Sequence, residues 1–415
     1  MTLHINRERL LSRLAALAEI GGLPSGGVDR LAFTEADRQA RDHLQGWLRE
    51  AGLEVRIDRI GNLFGRWAPP GCDGPPIMTG SHIDSVTDGG RYDGSLGVLG
   101  GLEAIETLQA VGHRPRHPIV VGAFSNEEGA RFPPDMMGSA VYQGQMDLEA
   151  ARTTVGIDGS TVGEALDRIG YAGAEPIGAD RAPSDRPRAF LELHVEQGPV
   201  LEQAGLTIGA VTGVQGIAWT ELTLQGTPNH AGTTPMAFRR DPGRVAGELV
   251  ARTRALTVEF PGLLGTVGHV QLEPNLVNVI PREARLTFDL RHTDDAVLER
   301  AESRLHALIN RLAEAEGVSV STRWLARFAP VPFDPGLVER VEGTAQGLGH
   351  SVQRLPSGAG HDAQMIAAEC PSAMVFVPSR DGISHNPAEY TAPDDLAAGA
   401  DVLVNLLRDL SLEED

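Results

Sequence analysis

The sequence predicts an α/β chain interrupted by a smaller α+β domain, and three observations carry that prediction. In the N-terminal half, apolar runs of strand length, Pro118 to Phe124 above all, alternate with helical spacings. That is the pattern of a buried parallel or mixed sheet with helices packed on it. From about Thr212 the chain instead alternates residue by residue, with Thr220, Leu222 and Leu224 set against Glu221, Thr223 and Gln225. A strand with one buried face reads this way. Beyond Pro330–Pro335 the buried pattern returns, with Ala373 to Val377 as a further strand.

The elements follow in order. Leu10, Leu11, Leu14, Leu17 and Ile20 fall on one helical face within a helical region from about Ile5 to Gly52. Leu53 to Ile60 and Pro76 to Thr79 read as strands; Gly61–Asn62 turns the first into Leu63–Trp67, and helical spacing resumes from Gly97 to Gln109. In the middle of the chain, strand-like segments Leu263 to Leu272 and Ala284 to Arg291 accompany helices at about Pro242–Leu256 and Asp295–Glu316. The chain thus leaves one domain, builds a second and returns: residues 1–212 with 329–415, and an insertion at 213–328. At 415 residues it is too long for one ordinary core.

Composition excludes several classes of function. A formal net charge of −20 argues against a nucleic-acid partner, which demands a basic footprint, and against an anionic membrane surface. No stretch approaches the roughly 20 apolar residues of a membrane helix. The N-terminal residues lack the uninterrupted apolar core of a secretory signal, so a cytoplasmic location is expected. Cys72 and Cys370 form no CxxC pair or disulfide framework, so any metal must sit on imidazoles and carboxylates. All 36 cations are arginine. Without lysine there is no Walker-A loop, no Schiff base and no carbamylated-lysine metal bridge.

Four clusters carry candidate chemistry. Gly80-Ser81-His82-Ile83-Asp84 leads into a glycine-rich loop with Asp88 and Asp93; Asp84 is spaced to orient His82 from behind. Phe124-Ser125-Asn126-Glu127-Glu128-Gly129 follows the buried strand. Adjacent carboxylates there repel unless a cation or proton intervenes, so one suits a metal and the other general-base work. His194 lies in Glu192-Leu193-His194-Val195-Glu196-Gln197-Gly198-Pro199, and His385 in Gly382-Ile383-Ser384-His385-Asn386-Pro387. Taken singly, each is more often a polar loop. Together His82, Asp93, Glu128, His194 and His385 suit two divalent ions bridged by a carboxylate, with Zn, Mn, Co or Ni fitting the nitrogen–oxygen set.

Quoted in order, GSHIDSV, DGGRYDGSLGV, SNEEGARF, GSAVY, ELHVEQGPVLE, NHAGTTPM, NVIPREARLTFDLRH, SGAGHDA and GISHNPAEY run nearly the whole chain. In them the sequence resembles the hydantoinase/carbamoylase family of the bimetallic aminoacylase/carboxypeptidase clan. The resemblance implies a bimetallic aminopeptidase-like catalytic domain with a mixed central sheet, and an inserted lid and dimerisation domain. It implies one metal on His82 and His194, the other on Glu128 and His385, Asp93 as the bridge and Glu127 as general base. His230 would hydrogen-bond the developing oxyanion, often in a partner subunit of a homodimer. Gln197, Asn278, Arg291, Gly360 and His361 match substrate-binding positions. The implied reaction is metal-dependent hydrolysis of the ureido C–N bond of a small anionic N-carbamoyl-L-amino acid, giving amino acid, carbon dioxide and ammonia. Allantoate and a β-ureido acid are the rival substrates within the family; a metallo-dipeptidase or aminoacylase is the rival outside it. Gln215-Gly216-Ile217-Ala218-Trp219 lacks the arginine that allantoate enzymes tend to carry. Arg239-Arg240-Asp241 reads as a solvated face.

Overall fold

A computed structural model describes residues 2–72 and 74–414. The chain divides into two compact units, Met1–Thr212 with Phe333–Asp415, and Gly213–Pro332.

The core of the larger unit is a mixed sheet. Its strands run in the order Glu54–Ile57, Leu63–Trp67, Ile119–Phe124, Ile77–His82, Ala189–Val195, Ser372–Val377 and Ile208–Val214. The middle four are parallel and buried on both faces, as their unbroken apolar composition requires. Helix Ser95–Ala110 is buried almost all round against them, which suits a segment with no polar face. Pairing of Ile77–His82 with Ile119–Phe124 persists to His82 opposite Phe124. The strand is therefore longer than the expected Pro76–Thr79, and Gly80 and Ser81 are strand residues rather than loop. Gly80 explains why the sheet can be so close here. Its φ is +152°, and a Cβ would stand 2.1 Å from the carbonyl oxygen of Gly122.

The smaller unit is an antiparallel sheet in the order Ser319–Phe328, Gly216–Gln225, Glu283–His292 and Leu264–Glu273. Helices Pro242–Glu259 and Asp295–Glu316 join its apolar face in one core around Leu222, Leu249, Leu286, Phe288, Leu305 and Leu308. Two expectations differ here. Ser319–Phe328 was not legible as a strand, because most of its residues are exposed and it shows no apolar alternation. Its ladder to Gly216–Gln225 runs as far as Phe328 opposite Ile217. Arg327 is therefore inside the sheet, and the insertion ends at Pro332 rather than 328. The two crossing segments pair with each other, Val331 opposite Val214 and Pro332 opposite Gly213.

Candidate metal centre

Parallel strands deliver their C-terminal ends to one edge of the sheet, where loops can converge. His82 ends one strand, Glu127 and Glu128 follow the next, and His194 is the penultimate residue of the third. Asp93 comes from the loop before helix Ser95–Ala110, and His385 from the segment after Ser372–Val377. These residues, with Gln197, Gly360 and His361, line one recess of about 400 Å³.

The geometry centres on Asp93. Its Oδ1 lies 3.4 Å from His82 Nε2 and 3.2 Å from His194 Nε2. Its Oδ2 lies 3.3 Å from His385 Nε2, which is also 3.3 Å from Glu128 Oε2. The two oxygens of one carboxylate therefore serve two sets of side chains. Glu127 Oε2 stands 3.4 Å from His82 Nε2, beside the first set. Gly94 lets Asp93 approach: φ is +63°, and a Cβ there would come within 2.5 Å of the His82 ring.

Donor chemistry tests whether cations fit. His82 Nδ1 is 2.9 Å from the carbonyl of Asp84, and His194 Nδ1 is 2.9 Å from that of Val195. In neutral rings both Nδ1 atoms carry the proton, and both Nε2 lone pairs face Asp93. Acceptors then confront acceptors, an arrangement that needs protons or cations between them. Borderline divalent metals match this nitrogen–oxygen set.

The electrostatics of these side chains agree. Burial alone would lower the His82 pKa, but Glu127, Asp93 and Asp84 outweigh it and raise it well above the usual imidazole value. The hydrogen bond to Asp93 lifts His385 to about 9. Burial would raise Asp93, yet His194, His385 and His82 hold it well below the ordinary carboxylate range. Burial, then the neighbouring Asp93 carboxylate, pushes Glu128 up to about 8. Glu127 is raised well above normal by burial and by Asp362, Glu128 and Asp93. Excess buried negative charge thus surrounds the recess, as a cation site requires.

One contact differs from expectation. The carboxylate of Asp84 was expected to orient His82; its backbone carbonyl does so instead. The carboxylate faces the amides of Glu127 and Glu128, at 3.3 Å each, because those two N–H groups beyond the strand end have no other partner among the described residues. Gln197 donates from Nε2 to Asp93 Oδ2 at 2.9 Å. Gly360 lies against Met136, whose Cε a Cβ would meet at 2.9 Å. His361 Nε2 is tied to Ser357 Oγ at 2.8 Å. Two acids escaped the sequence reading. Buried Glu389 accepts from the amides of Tyr92 and Asp93 at 2.9 and 3.2 Å, and from Ser384 Oγ at 3.0 Å. Buried Glu192 accepts from Ser81 Oγ at 2.6 Å and the Ala363 amide at 2.8 Å. Glu389 follows His385 by four residues, a spacing that offered a signal; only the fold brings Glu192 to Ala363.

Within the smaller unit, His230 and Asn278 are neighbours. Val279 pairs with His230, and the Ala231 amide donates to the Asn278 carbonyl at 2.9 Å. His230 Nδ1 accepts from the amides of Gly232 and Thr233 at 2.9 and 3.2 Å, which leaves the proton of the neutral ring on Nε2. Arg239 is not part of a solvated face. It donates to the carbonyls of Ala231 and Thr234 at 2.6 and 3.1 Å and pins the His230 loop. Asp241 caps helix Pro242–Glu259. Arg291 lies near the far end of strand Glu283–His292, opposite Ile217, with Asp289 at 2.9 Å and the Trp219 ring at 5.9 Å. His230 and Asn278 flank the other end of that sheet.

Residues 78–409 match the model of peptidase family M20/M25/M40. The chain is 41% identical over 400 residues to an N-carbamoyl-L-amino-acid amidohydrolase of Rhizobium meliloti, covering 96% of this chain and 95% of that one. It superposes on a hydantoinase/carbamoylase family amidase from Burkholderia multivorans with a TM-score of 0.96 at 42% identity, both chains fully covered. The chain belongs to the hydantoinase/carbamoylase amidases of peptidase family M20/M25/M40. It is accordingly a metal-dependent amidohydrolase. An allantoate amidohydrolase of Bacillus subtilis is 37% identical over 399 residues, 95% of each chain, so the family likeness spans more than one substrate.

Proposed function

We propose that this amidase hydrolyses the ureido C–N bond of N-carbamoyl-L-amino acids in the cytoplasm, using two divalent ions. The observation that carries the metal assignment is the division of Asp93: Oδ1 faces His82 and His194, Oδ2 faces His385 beside Glu128. On this reading those five side chains hold the pair, with Asp93 shared. Zn, Mn, Co and Ni match the donors. Bound there, two such ions would acidify the attacking water and polarise the scissile carbonyl.

The protein's own groups supply the rest. Glu127 takes the proton of the attacking water; its carboxylate stands next to His82 and has a raised proton affinity, which equips it to hold that proton. It then returns the proton to the leaving nitrogen. His230 turns an Nε2–H outward and is the donor for the developing oxyanion. Arg291 supplies a planar fork for the substrate carboxylate. The free amino acid leaves together with carbamate, which decays to carbon dioxide and ammonia. Allantoate is disfavoured because Ala218 is buried and Trp219 presents an indole beside Arg291 where a further cation would be needed.

A homodimer belongs to the same proposal. The ten-residue edge strand Leu264–Glu273 presents an open ladder, and Leu264, Val270, Leu276 and Val277 are exposed around it. With Arg291 and His230 at opposite ends of one sheet, His230 serves the centre of a second copy. The deciding assay measures ammonia and free amino acid from metal-loaded enzyme. We expect equal amounts of both from N-carbamoyl-L-amino acids. Faster turnover of allantoate, or of dipeptides without ammonia, overturns the substrate assignment.

A further inference from the structure

The larger unit carries a second recess, of about 500 Å³ and open to solvent, away from the metal centre. It lies near the starts of the strands whose far ends carry His82 and Glu127. Arg66 pairs with Val120, and Val120 with Met78, so these three side chains share one face of the sheet. Phe64, two residues before Arg66, joins them on that face. Tyr142 covers the floor, its ring 5.2 Å from that of Phe64. The result is an apolar, aromatic bed.

Three arginines, Arg56, Arg66 and Arg181, and two acids, Glu175 and Asp185, are the charged residues of the lining. The arginines are unequally used. Arg56 donates to Glu54 at 3.0 and 3.1 Å. Arg66 makes no side-chain hydrogen bond among the described residues, and its nearest carboxylate, Glu54, is 3.9 Å away. Arg181 is buried, with Cζ 3.9 Å above the Tyr142 ring and Nη2 on Glu369; its Nε and Nη1 have no hydrogen-bond partner among the described residues. Buried guanidinium donors are rarely left unmade. Two under-used guanidinium groups therefore border one apolar bed.

We propose that this recess binds a small monocarboxylate with an aromatic or branched apolar body. The body lies on Phe64, Met78, Val120 and Tyr142, and the carboxylate meets Arg66, where a planar fork is available. Glu54 and Glu369 are already hydrogen-bonded to Arg56 and Arg181, so Arg66 is the guanidinium left for a ligand, which matches a monoanion better than a phosphate. The site is connected to the catalytic edge through helix Met137–Gln143, which carries Tyr142. The residue before that helix, Met136, donates its amide to the Glu127 carbonyl at 2.7 Å.

The test is calorimetric titration of the metal-loaded enzyme with 3-phenylpropanoate, alongside the neutral 3-phenylpropanol. We expect saturable binding that weakens about tenfold or more for the alcohol and in Arg66→Gln, as loss of a charge-assisted contact requires. Binding should persist in Arg291→Gln, which separates this recess from the proposed substrate site. A measurement on unaltered protein accompanies it: 3-phenylpropanoate should slow phenylglyoxal modification of Arg66, followed by peptide mass spectrometry. No saturable binding, equal binding of the alcohol, or binding lost in Arg291→Gln with Arg66 unprotected would each overturn the proposal.

Discussion

Glu127 and Glu128 are adjacent in the chain, yet their surroundings differ. Glu128 shares His385 with Asp93, whereas Glu127 stands beside His82 without touching Asp93's second oxygen partner. Glu127→Gln is therefore expected to keep both metals while kcat falls by about 10²–10⁴, the usual worth of a positioned acid–base group. Metal analysis of the purified variant beside its turnover checks both halves. Near-normal turnover would remove Glu127 from the mechanism. The raised proton affinity of His385, about 9 through its bond to Asp93, makes a second prediction. In the ion-free centre this imidazole is protonated at pH 7, and a cation must displace that proton. Metal loading at pH 7–8 should release protons, and metal affinity should weaken as pH falls. An affinity flat from pH 6 to 8 would contradict this.

At the scale of elements, the loop carrying Glu127 is braced from a distant helix. Arg41, on helix Glu35–Glu50, pairs with Asp37 at 2.9 Å and donates to the Gly61 carbonyl at 2.6 Å and to Ser125 Oγ at 3.2 Å. Both members of the ion pair are fully buried. Arg41→Leu strands the Asp37 carboxylate and should cost about 3–5 kcal/mol, read from denaturant unfolding. A loss below about 1 kcal/mol would mean that water or a proton compensates Asp37. Three residues of the centre and its loops, Asn126, Gln197 and His385, have φ between +53° and +58° or close to it, at +52° for His385. Such conformations cost roughly 1–3 kcal/mol each and persist only where the surroundings enforce them. Here the enforcement is local, as with Gln197, whose amide donates to Ser379 Oγ at 3.0 Å.

For the whole molecule the test concerns how copies share work. If His230 serves a second copy, the inactive variants Glu127→Gln and His230→Ala should complement when mixed and allowed to exchange subunits. Half the dimers are then mixed, and each has one centre with both groups intact. Activity should recover to about a quarter of the wild-type value. No recovery, with exchange verified by mass, would place His230 in its own chain's centre.

Apolar pattern alone made the two-part α/β and α+β organisation legible, since buried parallel strands and half-buried antiparallel ones differ in it. The candidate ligands were legible as well, since histidines and carboxylates at strand ends are chemically distinctive and lysine is wholly absent. Tertiary structure decided what one-dimensional spacing does not encode. The side chain of Asp84 turned from His82 to the amides of Glu127 and Glu128, because unpaired N–H groups beyond a strand end attract the nearest carboxylate. Ser319–Phe328 became a strand through its ladder alone, its side chains being too exposed to leave an apolar signature. Glu192 and Glu389 acquired roles from residues 171 and 297 positions away. Backbone hydrogen bonding and buried charge balance are properties of neighbours in space, and only the folded chain chooses those neighbours.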